Sequence, residues 1–454
     1  MSPITDSPET LATTAAMEAF IGAGEMLPPI AMDPIAETGE LGPMTQRRVL
    51  ALATPIIGEN LLQTGVGAAD TFMVATLGAA AVAGVGTAVE LVFFIISVLS
   101  AVDIGATILV SQAIGSGDKA RANLLARQAV VWGILLAIPV SIGGFLGAQT
   151  IVGLFGAEPD VAANAVKYVH ITSATSIALL LSFVCGAILR GAGDSRTPLY
   201  ASVIANIVNI IVSWCLIFGH LGLPQMGVAG SAIGAASGRA VGAVLMLAMM
   251  ASGRRAVSLH GRGGWRPTLD VGGSLFRLGV PAAIEQVLIA GGFTTMMIVV
   301  AVLGTASLAA QQIGFTALSI AFLPGFGFAI AATALVGQSI GARDIASARA
   351  ASSIALRWGI LWMAVGGVLY FFFARQAMSI FTSDPEVTND GVAALRAISL
   401  SLPFWAVWSV CAGTLRGSGD TRSPLIAGTL AVWGAVLIAW IGVTHFGFDL
   451  GHIW

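Results

Sequence analysis

The chain has 454 residues, of which 56% are apolar and only 10% charged, with a formal net charge of −2. A soluble domain carries about 25% charged residues, so a soluble globular fold is excluded for most of this length. Apolar stretches of about twenty residues or more recur between short charged breaks, as in a protein that crosses a membrane many times.

Residues 1–46 stand apart. They hold Asp6, Glu9, Glu18, Glu25, Asp33, Glu37 and Glu40 and no Lys or Arg. This proline-rich acidic tail has no sustained apolar period and reads as disordered. It lacks the basic start of a secretory signal. Met44 is an alternative start that would place Arg47 and Arg48 just before the first span.

Helices are predicted over 48–76, 81–114, 121–148, 162–189, 197–219, 228–252, 272–303, 307–340, 347–374, 388–415 and 424–445. That makes eleven spans. Alternate connections differ sharply in basic content. Arg47, Arg48, Lys119, Arg121, Arg127, Arg190, Arg196, Arg254, Arg255, Arg262, Arg266, Arg277, Arg343, Arg349, Arg357, Arg416 and Arg422 fall on one side. Lys167, Arg375 and Arg396 fall on the other. Basic loops stay cytoplasmic, which places the N-terminus inside. The expected organisation is a tail (1–46), a first helical bundle (47–253), a cytoplasmic linker (254–271) and a second bundle (272–454).

Residues 55–198 match residues 281–424 in one unbroken register. Pro55, Glu59, Gln112, Gly115, Asp118, Phe155 and Cys185 pair with Pro281, Glu285, Gln338, Gly341, Asp344, Phe381 and Cys411. Arg190-Gly191-x-Gly193-Asp194-x-Arg196-x-Pro198 pairs with Arg416-Gly417-x-Gly419-Asp420-x-Arg422-x-Pro424. An even number of spans per copy gives both copies the same orientation. The expected fold is therefore an all-α integral membrane protein of two pseudo-symmetric six-helix-type bundles. Such parallel repeats enclose a central site and alternate its access by rocking. In the paired motif the arginine suits a helix C-terminus. The glycines suit a left-handed turn, and Thr197 and Ser423 are the expected N-caps, each just before a proline.

An ionisable residue inside a span is costly and usually faces a cavity or the bundle interior. The first span carries two acids. At 100° per residue, Gln63 lies about 40° and Asp70 about 20° around the helix from Glu59. Glu59, Gln63 and Asp70 thus form one polar stripe, suited to carrying a coupling ion or to holding helices together. Glu90 and Asp103 lie in the second span, Glu285 in the seventh and Arg239 in the sixth. Asn206 and Asn209 in the fifth span can coordinate an ion, reach Asp70, or simply join helices. Pro324 is expected to kink or loosen the eighth span. Phe93, Phe94, Phe322, Phe326, Trp405 and Trp408 can line an apolar surface or fill the core. Cys185, Cys215 and Cys411 show no disulfide or metal spacing. No nucleophile–base pair, metal cluster or phosphate loop is visible, so an enzyme is not expected.

Ala53-Thr54-Pro55, Gln63-Thr64-Gly65 and Asp70-Thr71, the turn Gln112-x-x-Gly115, the paired Arg-Gly-x-Gly-Asp loops and Leu308-Ala309-Ala310-Gln311-Gln312-Ile313 together carry a resemblance. From about residue 47 onward the chain resembles the multidrug and toxin extrusion (MATE) family. The resemblance implies export of amphipathic, often cationic small molecules, driven by entry of H+ or Na+. It implies Asp70 as the coupling residue, and Asn209 matches an asparagine that some prokaryotic members place nearby. The ion-coupling set is then Asp70, Glu59, Asn209 and Gln63, and the substrate-binding set Glu285, Glu90, Asn206, Gln311 and Gln312. Apart from the coupling ion no cofactor or nucleic acid is expected. The protein is expected to act as a monomer in the cell membrane, among lipids.

Three departures from the family pattern stand out. Ser213 and Trp405 occupy positions where some members carry aspartates, which favours protons as the coupling ion. Glu285 lies four residues after Pro281, closer than the family's seventh-span glutamate. The family has twelve spans, whereas no counterpart of the span within Gly227–Ser252 follows residue 445. The sequence is then truncated or works with eleven. The alternatives are a lipid-linked precursor flippase, which calls for cationic grooves, and a non-transporting membrane protein.

Overall fold

The computed structural model describes residues 44–153, 158–253, 255–261, 263–379 and 384–453. The acidic tail up to residue 43 and the paired Phe155 and Phe381 lie outside the described residues. The first half contains α1 (Gln46–Ala75), α2 (Ala79–Gly115), α3 (Lys119–Gly153), α4 (Pro159–Ala174), α5 (Ser176–Gly191), α6 (Arg196–Phe218) and α7 (Val228–Ala251). The second contains α8 (Leu269–Ala301), α9 (Thr305–Gly341), α10 (Ile345–Ser379), α11 (Pro385–Ser418), α12 (Arg422–Ile441) and the short α13 (Leu450–Ile453). Among the described residues ten helices are long and apolar enough to cross a membrane, and α4 with α5, taken as one bent span, makes eleven.

That eleventh span departs from the single helix expected over 162–189. It is bent by 57° at Thr175. Its sequence there is Thr172-Ser173-Ala174-Thr175-Ser176. The Thr175 hydroxyl donates to the Ile171 carbonyl at 2.8 Å. From α3, Ser141 donates to the Ser173 carbonyl at 2.5 Å, and Ser176 donates back to the Ala137 carbonyl. Hydroxyls that compete for backbone carbonyls bend a helix. α11, its repeat partner, runs unbroken through Pro403. Likewise α9 stays helical through Pro324, and the Leu323 carbonyl is taken by Asn60 of α1 at 3.1 Å.

The paired Arg-Gly-x-Gly-Asp turns follow the expected path with different caps. Gly193 and Gly419 hold positive φ of 88° and 97°. The caps, however, are Asp194 and Asp420 rather than Thr197 and Ser423. Asp194 accepts from Thr197 N at 3.0 Å and from the Thr197 hydroxyl at 2.6 Å. Asp420 accepts from Ser423 N at 3.0 Å and from the Ser423 hydroxyl. A carboxylate is the stronger acceptor at a helix N-terminus, so the hydroxyls become donors to it. A similar cap starts α10, where hydrogen bonds from Ser347 hold the Asp344 carboxyl below the usual carboxylate range.

In lipid, apolar burial between helices brings no hydrophobic gain, so close packing and hydrogen bonds hold a bundle together. The two halves meet this way at the end that carries the basic loops. Val49, Leu52, Ala53, Ile56 and Ile57 of α1 are buried in the core of the second half. Leu275 and Leu278 of α8 are buried in the core of the first. The basic ends of α1 and α8 are therefore shared rather than confined to one bundle each. At the opposite end the core clusters contain residues of one half only. Contact between halves is thus concentrated at the basic end.

The linker is a packed strap rather than a free connection. Fully buried Gln128 of α3 donates to the Gly264 and Arg266 carbonyls and accepts from Thr268 N at 3.0 Å.

Candidate ion-coupling and substrate site

Inside the first half, α6 and α7 are drawn together by glycines spaced one turn apart. A side-chain carbon at Gly234 would overlap the Ser213 hydroxyl, and one at Gly238 would reach Asn209 Cβ at 3.0 Å. Small residues at this spacing allow close helix approach. The packing fixes Ser213 and Asn209 on the side of α6 that faces α1. Ser213 donates to Asn209 Oδ1 at 3.0 Å, and Asn209 Nδ2 donates to Asp70 Oδ2 at 3.2 Å. Asn209 is thereby oriented as a donor to the carboxylate. The other carboxylate oxygen, Asp70 Oδ1, is buried and has no hydrogen-bond partner. Asn206, one turn earlier on α6, leaves its Nδ2 buried and without a partner. Arg239 of α7 and Tyr168 of α4 lie within electrostatic range of Asp70. The Arg239 side chain has no ion-pair or hydrogen-bond partner among the described residues.

The expected stripe on α1 is divided between two environments. Glu59 lies deeper and is engaged. It is 3.2 Å from Arg190 Nη1 and accepts from the Ser202 hydroxyl at 3.0 Å. Asp103 of α2 lies within electrostatic range of both Glu59 and Arg190. Gln63, between Glu59 and Asp70 in sequence, is exposed and makes no hydrogen bond to a described residue.

The second half repeats the ion pair without the Asp70, Asn209 and Ser213 network. Glu285 is fully buried, and its Oε2 lies 2.8 Å from Arg416 Nη2. The pair is close but poorly aligned, so the carboxylate gains charge attraction without a hydrogen bond. Met296 stands at the repeat position of Asp70. The arginine of each paired motif, expected to serve a helix end, is thus the partner of a glutamate one helix bundle layer away.

The remaining substrate-binding expectations scatter. Glu90 is exposed on α2 with no described partner. Gln312 is exposed on α9. Gln311 is 2% exposed, and both its amide oxygen and nitrogen lack partners. The aromatics cluster instead. Trp405 of α11 lies 5.3 Å from Phe322, 5.4 Å from Trp408 and 6.0 Å from Phe293 between ring centroids, and Phe322 packs on Phe326. Phe293 of α8 also meets Phe315 of α9. The sequence alone does not single out Phe293 and Phe315, because what gathers them is contact between α8, α9 and α11.

At the basic end the two halves are clasped by a reciprocal pair. Gln338 Nε2 donates to the Gly191 carbonyl at 2.9 Å, and Gln112 Nε2 donates to the Gly417 carbonyl at 3.3 Å. Gln112 and Gln338 are repeat partners, as are Gly191 and Gly417. α2 and α9 touch backbone to backbone beside them. Side chains at Gly115 and Gly341 would overlap the Gln338 and Gln112 carbonyls respectively.

A family profile described as MatE matches residues 55–215 and again 281–441. The two matches cover most of the chain and are displaced from each other by the register of the internal repeat. The chain belongs to the MatE family. It is therefore a multi-pass membrane transporter of the multidrug-efflux family and not an enzyme. It is 30% identical over 416 residues to a probable multidrug resistance protein NorM of Thermotoga maritima, covering 91% of this chain and 89% of the relative. A probable multidrug resistance protein NorM of Rhizobium meliloti is 29% identical over 431 residues, covering 92% and 91%. Among solved structures, a MOP superfamily transporter from Pyrococcus furiosus aligns with a TM-score of 0.86 at 20% identity, over 91% of each chain. A multidrug resistance MATE family transporter described as outward-facing aligns with a TM-score of 0.85 at 20% identity, over 91% of each chain. At that identity the structural likeness speaks to the fold alone.

Proposed function

We propose that this MatE protein is a secondary antiporter. It exports amphipathic, cationic drugs or metabolites in exchange for an inward-moving ion, with Asp70 as the coupling carboxylate. The observation that carries this reading is the asymmetry of Asp70 itself. One oxygen is held by Asn209, while the other is buried and free. A buried, unpartnered carboxylate oxygen is costly unless something binds it. A proton satisfies it with no further ligands. Na+ needs a shell of several oxygens, and the Ser213 hydroxyl beside Asp70 already donates to Asn209. This favours H+ over Na+. The N-terminus is read as cytoplasmic from its basic flank, so the basic end faces the cell interior.

The clasp closes the two halves together at the basic end. Alternating access then requires the Gln112 and Gln338 clasp to part. The aromatic cluster around Trp405 suits amphipathic cations, which an aromatic face attracts through its quadrupole. Glu59 and Glu285, each engaged by an arginine, are assigned to holding the bundles rather than to ion or substrate contact. Export of a panel of cationic dyes from proteoliposomes under an imposed proton or sodium gradient tests the reading. Transport that follows neither gradient sinks it.

A further inference from the structure

Two of the basic-end arginines whose side chains have no partner among the described residues lie side by side. Arg47 and Arg196 line one cleft of about 540 Å³ between α1 and α6, and neither has a hydrogen-bond or ion-pair partner among the described residues. Nearby basic groups are already engaged. Arg48 donates to Gln338, Arg190 to Glu59 and Arg255 to Asp194. Asp194, the acid closest in sequence to Arg196, is occupied by Thr197 and Arg255.

Arg47 lies in the first turn of α1 and Arg196 opens α6. The cleft therefore gathers the positive ends of two helix dipoles as well as two guanidinium groups. Below the arginines the wall is mainly apolar. Leu50, Ala51 and Pro55 continue the lining down α1, with Thr54 among them. Arg47 to Pro55 spans about 12 Å of helix rise, roughly the step from a headgroup phosphate into the upper acyl chain.

We infer that this cleft binds an anionic phospholipid of the leaflet at the basic end, with the phosphate held by Arg47 and Arg196 and an acyl chain along Leu50, Ala51 and Pro55. Basic pockets between membrane helices recognise anionic headgroups in this way. A lipid uses both parts of the cleft, whereas a free phosphate or an acidic peptide uses only the upper one. The inference is independent of what the protein transports.

The test is lipid titration of the full chain in detergent, followed by native mass spectrometry and thermal unfolding. Phosphatidylglycerol should bind saturably and raise the unfolding temperature, and phosphatidylcholine should do neither. The variant Arg47→Gln/Arg196→Gln should weaken phosphatidylglycerol binding at least about tenfold, as expected from two basic side chains at a membrane surface. The variant Arg349→Gln/Arg357→Gln, which removes two basic-side charges elsewhere, should leave it unchanged. Both arginines of the cleft are exposed, so their replacement leaves packing intact. Equal binding by the Arg47→Gln/Arg196→Gln variant, or equal binding of phosphatidylcholine, overturns the inference. Competition by millimolar inorganic phosphate reassigns the cleft to a free anion. Binding that appears only when the seven tail acids are neutralised reassigns it to the acidic tail. Either result also overturns the lipid assignment.

Discussion

Arg416 Nη2 stands 2.8 Å from Glu285 Oε2, the position in the second half that Arg190 and Glu59 occupy, 3.2 Å apart, in the first. Each pair joins the first helix of a half to the turn that ends its fourth span. Breaking a buried ion pair from one side leaves the other charge uncompensated, at a cost of about 3–5 kcal/mol. Glu285→Gln should therefore lower the unfolding temperature clearly in a detergent melt. Glu285→Gln/Arg416→Gln should recover part of that loss. Weakened substrate binding by Glu285→Gln with an unchanged melt would instead return Glu285 to the substrate site.

The clasp at the basic end should be opened by substitution. Gln112→Ala/Gln338→Ala removes both clasp hydrogen bonds, and with them the bond from Arg48 to Gln338, while leaving the helices themselves intact. Spin labels at Lys119→Cys and Ile345→Cys, at the starts of α3 and α10, should then show a larger population at long distance. Gly115→Val should act more strongly, since its side chain overlaps the Gln338 carbonyl. An unchanged distance distribution in both variants would show that the clasp does not set the closed state.

Gly234→Val should impair transport without removing a polar group. Its side chain overlaps Ser213, and α7 must move away from α6. Ser213 and Asn209 then lose their register against Asp70. Overpacking of this kind costs about 1–3 kcal/mol, so the protein should still fold. The measured outcome should be a several-fold loss of ion-driven export at normal expression. Wild-type export by Gly234→Val would mean that the seating of α6 does not govern the site.

The architecture was legible because its signals are long. The apolar spans, the asymmetric loop charges and the repeat each extend over many residues. The contact of Asn209 with Asp70 was legible too, since polar side chains in a span require partners. Three features were not. The bend at Thr175 depends on hydroxyls of α3 reaching carbonyls of α4 and α5, and the only local trace is the run Thr172-Ser173-Ala174-Thr175-Ser176. The ion pairs of Glu59 and Glu285 depend on arginines 131 residues further along the chain, which periodicity within one helix does not reveal. The swap of the basic ends of α1 and α8 between cores is likewise a tertiary choice, made by backbone contacts such as that of Gly279 with Ala101.

Ion-driven export by Asp70→Asn tests the coupling assignment most directly. The amide keeps the size of the side chain and its contact with Asn209, but it neither binds nor releases a proton. In proteoliposomes under an inward proton gradient, measured beside wild type and in parallel with a sodium gradient, the variant should fold normally and still bind the cationic dye. It should export none of it in response to either ion. Gradient-driven export at the wild-type rate by Asp70→Asn would contradict the account.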